Sequence, residues 1–440
     1  RLPGLPRENF TVYTRDAAGT ITAVGRPRAG LPPAFGTVVG LADDGQTIAF
    51  GAGVLDVDSG PTVPSSFFLG ASRLYYWTDP TNGTRVASLY PDGELATAST
   101  GQLSRDGSKI VWQVDSAPAA HGGGAEVFVR EKGGASVRVS APQGVPAPTA
   151  QVFFAGATED MRYVFLTSVG KLTPDATASD GISDLYRFDT ETGTLEDLTT
   201  ADPAGGGVPP KTGLLGTSDD GQRVYFVATG NLAPGASGSA AKLYLRDGAD
   251  TRYITDLATS ESYGSTRPIE YDKANQVSAD GRYLIFRDKL ESSVYDIGGH
   301  SMYYRYDAVE DRLDCVTCDT GGRPASSDAY LTMPALMRTN VSAVPNKRAR
   351  PRVFSDGSVV FVTAQPLVSG DTNGTWDSYL WDDGQHRLLS SGTSEDGEWV
   401  EAATADRSSV FVYSRKHLVP ADDDKVLDIY VAREGGGLAS

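Results

Sequence analysis

Residue types that carry much of protein chemistry are scarce in this chain of 440 residues, which has two cysteines, four histidines and four methionines. No two histidines have H-x-x-x-H or H-x-H spacing, so a histidine-based zinc site would require distant loops to converge. No G-x-S-x-G nucleophile elbow occurs either, because the nearest string, GHSMY at residues 299–303, lacks the second glycine. These absences argue against an enzyme whose active site is encoded in one short motif.

Long apolar runs and an excess of positive charge are also lacking. No run approaches the roughly 18 residues that a spanning helix needs, so we expect no membrane insertion. The chain has 39 basic and 56 acidic side chains, which gives a net charge of −17. A surface of this sign repels phosphate backbones and anionic lipid, so we do not expect nucleic acid as a partner.

Glycine, proline and tyrosine, by contrast, are abundant, with 50, 25 and 20 residues. Such a composition is typical of many short strands joined by tight turns. One phrase, a small polar residue and Asp-Gly followed by a hydrophobic run, recurs at intervals of 50 to 76 residues. Five copies carry Asp-Gly and two keep only the aspartate: Asp44, Asp106, Asp220, Asp280 and Asp356, then Asp160 and Asp406.

Each copy predicts a β-hairpin, because Asp-Gly supplies the positive φ of a tight turn between strands. The strand after the turn is apolar at consecutive positions, as in VYFV at 224–227 and LIF at 284–286. Consecutive apolar residues indicate a strand that is buried on both faces. We therefore expect each small sheet to lie between two others.

A second signature follows in each repeat, a short aromatic strand such as LYRFD at 185–189 or YYRYD at 303–307. A turn and a weaker strand come next, so one repeat contains about four antiparallel strands. Four-stranded sheets repeated around an axis form a β-propeller. The sequence contains seven such hairpins and eight aromatic strands. We therefore predict an all-β, seven-bladed β-propeller, with eight blades as the alternative.

The repeat covers nearly the whole chain, so residues 1–440 are expected to form a single propeller domain. Residues 1–30 contain an aromatic strand and its outer partner without a preceding hairpin. We predict that these N-terminal strands close the ring, which removes an exposed sheet edge. Residues 320–349 interrupt the repeat and are predicted to be a long inter-blade insertion.

The pattern S/T-x-D-G-x-x-[IV]-x-F, followed by a D-L-Y-x-x-D strand, stands here as TSDDGQRVYF at 217–226 and DLYRFD at 184–189. This pattern resembles TolB-type propellers and their WD40-like (PD40) bacterial relatives. The resemblance implies a propeller fold, a location outside the cytoplasm, and action by binding other proteins. It also implies relatives in which a hydrolase domain is appended to such blades, and no such domain is expected in this chain.

The two cysteines form a close pair, Cys315 and Cys318. Asp319 stands where haem attachment requires histidine, and a zinc ribbon would need a second pair. A disulfide, two free thiols and a redox pair remain. We expect a disulfide, because cysteines present only as one close pair fit an oxidising compartment. Residues i and i+3 of an extended strand lie about 10 Å apart, too far for bridging, so the bond requires a turn here.

Acidic loops before the aromatic strands are the best candidates for a site. In DTNGTWD at 371–377, the side chains of Asp371, Asn373 and Asp377 present oxygen atoms at spaced positions, as calcium loops do. Related loops begin at Asp175 and Asp422. The pattern predicts a Ca²⁺ site and no other cofactor. Ordinary turn chemistry is the alternative, since Asp and Asn are also common turn residues.

A local basic cluster lies in and after the insertion, within a chain of net negative charge. Such a patch would dock an acidic protein or an anionic polymer, and a solvated loop is the alternative. The cluster consists of Arg338, Lys347, Arg348, Arg350 and Arg352.

Taken together, these patterns predict a non-catalytic binding or scaffold propeller in the periplasm, at the cell surface or secreted, with a protein or a surface polymer as partner. The rival hypothesis is a propeller enzyme, a glycan or lactone hydrolase or lyase, with carboxylates around a divalent ion at the channel mouth. A third is a module of a longer surface protein.

Overall fold

The computed structural model describes residues 13–15, 21–23, 37–52, 74–79, 83–146, 151–179, 181–261, 263, 275–331, 351–424 and 426–433. In these ranges the chain forms antiparallel β-sheets and one 3-10 turn, Ala119–His121, without an α-helix. Over the same ranges, no helix has the length and apolarity that a membrane crossing demands.

Seven sheets follow one another along the chain, and the strands of each sheet pair in sequence order. A separate two-stranded sheet precedes them, formed by β1 (Tyr13–Arg15) and β2 (Ile21–Ala23). The first three sheets are sheet 1, with β3 (Thr37–Leu41), β4 (Ile48–Ala52), β5 (Leu74–Asp79) and β6 (Gly83–Val86); sheet 2, with β7 (Thr100–Leu103), β8 (Lys109–Val114), β9 (Glu126–Glu131) and β10 (Ser136–Arg138); and sheet 3, with β11 (Val152–Ala157), β12 (Tyr163–Ser168), β13 (Asp184–Asp189) and β14 (Leu195–Asp197).

The remaining four sheets repeat the same order, and the last has three strands in the described part of the chain. They are sheet 4, with β15 (Leu214–Thr217), β16 (Arg223–Ala228), β17 (Lys242–Asp247) and β18 (Asp250–Asp256); sheet 5, with β19 (Asn275–Val277), β20 (Tyr283–Asp288), β21 (Met302–Asp307) and β22 (Arg312–Cys315); sheet 6, with β23 (Ala329–Tyr330), β24 (Val359–Thr363), β25 (Asp377–Asp382) and β26 (Gln385–Leu388); and sheet 7, with β27 (Trp399–Ala403), β28 (Ser409–Ser414) and β29 (Asp428–Arg433).

The chain divides into two compact units, one with sheets 1 to 3 and the other with sheets 4 to 7. Within each unit the core consists of layers between consecutive sheets. Tyr225 of sheet 4 and Phe286 of sheet 5 belong to one apolar cluster, and Val111 of sheet 2 and Val164 of sheet 3 to another. The second strands of sheets 1 to 6 are therefore largely buried on both faces, as predicted, and residues 224–227 are all 0% exposed. In sheet 7, Phe411 and Tyr413 of β28 are only partly buried.

The seven hairpin turns share one hydrogen bond, which explains why the aspartate recurs even where glycine does not. In each turn the Asp Oδ1 accepts the backbone N–H two residues later, at 2.7–3.1 Å. In the two degenerate copies, Met161 and Arg407 occupy the glycine position with φ of 54° and 59°. The aspartate thus defines the turn, and the prediction of seven hairpins in seven sheets is confirmed.

The first strands of neighbouring sheets approach each other closely, which the sequence permits by placing a small residue there. A Cβ atom added to Gly40 of β3 would lie 2.7 Å from the Leu103 Cβ of β7. In the second unit, a Cβ on Gly216 of β15 would lie 2.8 Å from Val277 of β19. Larger residues at these positions would push adjacent sheets apart.

The predicted inter-blade insertion, residues 320–349, is described only in its first part, up to residue 331, and it stays a prediction. Ala329 of β23 is already paired with Thr363 of β24, and further along the same edge Val353 bridges to Val359. The first strand of sheet 6 is therefore in two pieces, separated by residues 332–350, which lie outside the described ranges. The prediction that residues 1–30 close the ring falls largely outside them too, and it stays a prediction.

Candidate functional site

The predicted calcium loop of sheet 6 leads into β25 and has a counterpart of the same length leading into β29 of sheet 7. Asp377 is the first residue of β25 and Asp428 the first of β29. In both loops the aspartate six residues earlier accepts a hydrogen bond from a tyrosine hydroxyl of the following strand: Tyr379 donates to Asp371 and Tyr430 to Asp422.

Three carboxylates are buried around the sheet 6 loop: Asp371, Asp377 and Glu398 are 5%, 0% and 0% exposed. Asp377 accepts hydrogen bonds from Asn373 Nδ2 at 2.6 Å and from Ser390 Oγ at 2.5 Å. Oδ1 of Asp371 is buried and accepts no hydrogen bond from any described residue. A hydrogen bond thus joins two of the three predicted residues, Asn373 and Asp377. The third, Asp371, and the buried Glu398, which the sequence pattern did not indicate, lie near enough for their charges to act on Asp377.

The sheet 6 loop carries an excess of negative charge. Burial, followed by the charges of Asp371 and Glu398, raises the pKa of Asp377 to about 6. Asp377 is therefore still mostly ionised at neutral pH. Arg407, a cation of sheet 7, pairs instead with Asp356 and Asp382.

The sheet 7 loop gathers the same kind of group at its surface. Ligand oxygens of Asp422, Asp424 and Asp428 all lie within 4.8 Å of one another, close enough to share one ion. Asp424 stands where sheet 6 has Asn373, so this loop carries one more carboxylate among the three equivalent positions. The related loop at Asp175 differs, because there the following strand begins with Asp184, whose carboxylate accepts the N–H groups of Thr177 and Gly206.

A second polar cluster, which we call the Arg287 network, joins residues of sheets 4 to 6. Arg287, in β20, forms ion pairs with Glu261 at 3.3 Å and with Asp328 at 3.0 Å. His300 Nδ1 lies 3.1 Å from the other oxygen of Asp328, and the Ser301 hydroxyl donates to Glu261 at 2.7 Å. Burial alone would raise the pKa of Asp328, but the Ser301 N–H, His300 and Arg287 outweigh it and hold that pKa below its usual range.

Two aromatic rings connect the Arg287 network to the acidic loop of sheet 6. The Arg287 guanidinium lies 4.2 Å from the centre of the Tyr330 ring, and Tyr330 contacts Trp376 with ring centres 5.5 Å apart. Trp376 immediately precedes Asp377, and both rings are partly exposed. The acidic loop and the ion-pair network therefore form one continuous site.

The first unit has a smaller polar group that includes a histidine. His121 Nε2 lies 3.1 Å from Asp92 Oδ2, and Glu94 has an oxygen within 4.8 Å of both ligand atoms. The His121 ring stacks on Tyr90 at 3.9 Å. Burial, then Asp92 and Glu94, raise the pKa of Tyr90 to about 12.

The predicted disulfide is present: Cys315 and Cys318 are bonded, with their Cα atoms 5.6 Å apart. Strand β22 ends at Cys315 and the chain bends over the next three residues, which is the turn that the bond requires. Both cysteines are buried. Val316 between them accepts a hydrogen bond from His386 at 2.8 Å, so the bend also contacts sheet 6.

One of the five residues predicted to form the basic patch is not on the surface. Arg352 is 0% exposed, and its guanidinium donates to the backbone oxygen of Glu401 at 2.9 Å. It stabilises the packing of sheets 6 and 7 and is not part of a docking surface. Arg338, Lys347, Arg348 and Arg350 lie outside the described residues, and their role stays a prediction.

The sheets, their strand order and their two-sided burial define the class of the protein, an all-β, seven-bladed β-propeller. No protein-family model matches the chain, and no curated protein matches it.

Solved structures of similar fold exist. Dipeptidyl peptidase 4 of Porphyromonas gingivalis is 13% identical with a TM-score of 0.52, and the match covers 98% of this chain and 56% of that one. The β-propeller domain of the Trilobed protease from Pyrococcus furiosus is 12% identical, with a TM-score of 0.39 and coverage of 91% and 96%. TolB from Acinetobacter baumannii is 14% identical, with a TM-score of 0.32 and coverage of 69% and 59%. At this level of identity the likeness concerns the fold.

Proposed function

We propose that the chain is a non-catalytic, extracytoplasmic binding propeller of the TolB and WD40-like kind. In this proposal, the contact surface is the site formed by the Arg287 network, Tyr330, Trp376 and the acidic loop of sheet 6. The partner is a protein or a surface polymer. The observation that carries the proposal is the mutual neutralisation of the charged groups in the Arg287 network.

A catalytic acid, base or nucleophile must present a reactive atom to its substrate, whereas these groups are directed at one another. Arg287 lies between Glu261 and Asp328, and Ser301 gives its hydroxyl to Glu261. The result is a fixed polar surface next to two half-buried aromatic rings. Aromatic and arginine side chains are enriched at binding interfaces, and a surface that is ordered beforehand loses less entropy on binding.

The proposed location and partner charge follow from two further observations. The disulfide between Cys315 and Cys318 is of the kind that persists in oxidising compartments. The net charge of −17 favours a partner that is neutral or basic where it meets the surface, because like charges repel.

The rival function, a propeller enzyme, is favoured by one feature of the same network. Asp328 holds Nδ1 of His300, which is the arrangement that orients a histidine as a general base. A hydrolase or lyase of this type would lose nearly all turnover in His300→Ala.

Photo-crosslinking tests the binding function. A benzophenone amino acid is placed at Trp376 and, as a control, at Val137, which is exposed on the fourth strand of sheet 2. We expect a discrete crosslinked species from cell-envelope material at Trp376 alone, and no hydrolase or lyase turnover on glycan, lactone or peptide substrates. Turnover that His300→Ala abolishes, or identical crosslinking at the two positions, would overturn the proposal.

A further inference from the structure

The residue that begins the third strand of each sheet occupies an equivalent place in the repeat, and in five sheets it is charged. In four of these, in sheets 2, 3, 4 and 6, it has hydrogen-bond partners within the protein, and the kind of partner differs. These five residues are Glu126 in sheet 2, Asp184 in sheet 3, Lys242 in sheet 4, Asp377 in sheet 6 and Asp428 in sheet 7.

Sheets 2 and 3 supply positive charge or N–H donors to this position. Glu126 receives two hydrogen bonds from the Arg138 guanidinium, at 2.9 and 2.7 Å. Asp184 receives backbone N–H groups from Thr177 and Gly206. A buried carboxylate is stable only with such compensation, and these two sheets provide it.

Sheet 4 carries a positive charge of its own at the same place. Lys242 is 0% exposed, and its ammonium group donates to the backbone oxygens of Gly238 at 3.0 Å and Ala240 at 2.9 Å. Gly238 corresponds to Asn373 in sheet 6 and Asp424 in sheet 7. The sheet 4 loop has alanine and glycine at the positions where the loops of sheets 6 and 7 have acidic or amide side chains. The ammonium group of Lys242 therefore takes the place of both the acids and the cation that such acids would bind.

In sheet 6 the described residues of the loop supply acids and no basic side chain, whereas the sheet 7 loop contains Lys425, which lies outside the described residues. Around Asp377, the carboxylates of Asp371 and Glu398 add two more buried acids, and Oδ1 of Asp371 has no hydrogen-bond partner among the described residues. Asp377 accepts hydrogen bonds from the Asn373 side chain, the Ser390 hydroxyl and the Gly392 N–H. Glu398 accepts the Ser391 N–H and the hydroxyls of Ser391 and Ser414. One buried oxygen is left in an acid-rich loop whose counterpart in sheet 4 encloses an ammonium ion.

We propose that the loop at 371–377 binds a Ca²⁺ ion, at the place that Lys242 fills in sheet 4. The donors are oxygens only, which is the ligand set of a hard cation rather than of zinc or copper. This inference does not rest on the proposed binding function.

Calorimetric titration of the full chain with CaCl2, after removal of metal by a chelator, gives the first test. We expect an ion bound at the sheet 6 loop in the wild type. Asp371→Asn removes one charge at the site and is expected to weaken the sheet 6 ion by about 10–100-fold or more. Asp250→Asn removes the same charge from an exposed position in sheet 4 and is expected to change nothing. No calcium binding in the wild type, or equal titrations of the two variants, would overturn the proposal.

Terbium luminescence places the ion without relying on a variant that loses a buried carboxylate. Trp376 stands beside Asp377 in the loop, so it is positioned to sensitise Tb³⁺ bound there. We expect luminescence in the wild type that excess calcium displaces. Trp376→Phe should remove most of the luminescence while calcium binding persists in the calorimeter. Luminescence that is absent in the wild type, or unchanged in Trp376→Phe, would exclude an ion in the sheet 6 loop.

Discussion

Replacement of Gly107 by alanine should destabilise the protein more than replacement of Gly45, although both glycines follow the aspartate of a hairpin turn. Their φ angles are similar, 74° and 65°. A Cβ atom at Gly45 would meet nothing within 4 Å. At Gly107 it would lie 2.7 Å from Thr47 Cγ2 and 2.9 Å from Ala42 Cβ, both in sheet 1.

The magnitudes follow from two separate costs. An alanine forced to positive φ costs about 1 kcal/mol, and this cost is common to both variants. Overlap with packed neighbours adds about 1–3 kcal/mol where the backbone has to shift, and it applies to Gly107 alone. We therefore expect a loss of about 1 kcal/mol for Gly45→Ala and about 2–4 kcal/mol for Gly107→Ala.

Urea unfolding followed by tryptophan fluorescence measures the difference, because Trp112 is fully buried in sheet 2. The slope against urea should be the same in both variants, so that the midpoints report stability. Equal losses of stability in the two variants would contradict this prediction. Equal losses would mean that the hairpin turn of sheet 2 does not pack against sheet 1. The layered core described for the first unit would then also be wrong.

Three other perturbations test separate parts of the structure. Burial and the neighbouring Asp184 raise the pKa of Asp197 to about 8, so the native state holds a proton that the unfolded chain releases near pH 4. The free energy of unfolding should therefore fall between about pH 4 and pH 8, by up to about 1.4 kcal/mol per pH unit, and Asp197→Asn should flatten this dependence in pH-resolved urea titrations. The double variant Cys315→Ser, Cys318→Ser should lose about 2 kcal/mol, as expected for a very short closed loop, and an unchanged melting temperature would contradict this. Arg352→Met should cost about 1–3 kcal/mol in the same assay because it leaves buried carbonyl groups unpaired, whereas a surface arginine would cost almost nothing.

The sequence was sufficient to predict the fold because each repeat encodes its turn and its buried strand locally. The aspartate of each hairpin bonds to a residue two positions away, and the apolar runs are contiguous. Such signals survive even where the glycine is replaced, as Met161 and Arg407 show.

The Arg287 network was not predictable, because its members come from three sheets and no fixed spacing links them. Glu261, Arg287 and Asp328 each look like an ordinary surface charge when read alone. Arg352 is the opposite case, a residue that the sequence assigns to a surface patch and the structure buries. Its basic neighbours in sequence suggested a patch, whereas its pairing with the carbonyl of Glu401 depends on how sheets 6 and 7 pack.

Strand β23, which lies within the predicted insertion, could not be predicted from the sequence for a related reason. Strand β23 has only two residues, Ala329–Tyr330, which is too short for the alternation that identifies a strand. Its partner residues lie beyond the hairpin that follows, so only the three-dimensional pairing reveals it.

A crystal structure of the protein grown with calcium chloride would show whether the sheet 6 loop binds an ion. We predict an ion in the loop of sheet 6, bound by Asp371 Oδ1 and Asp377 and completed by other oxygens to about six to eight ligands at about 2.3–2.6 Å. Electron density in which a basic side chain or an ordinary water molecule occupies that position would contradict it.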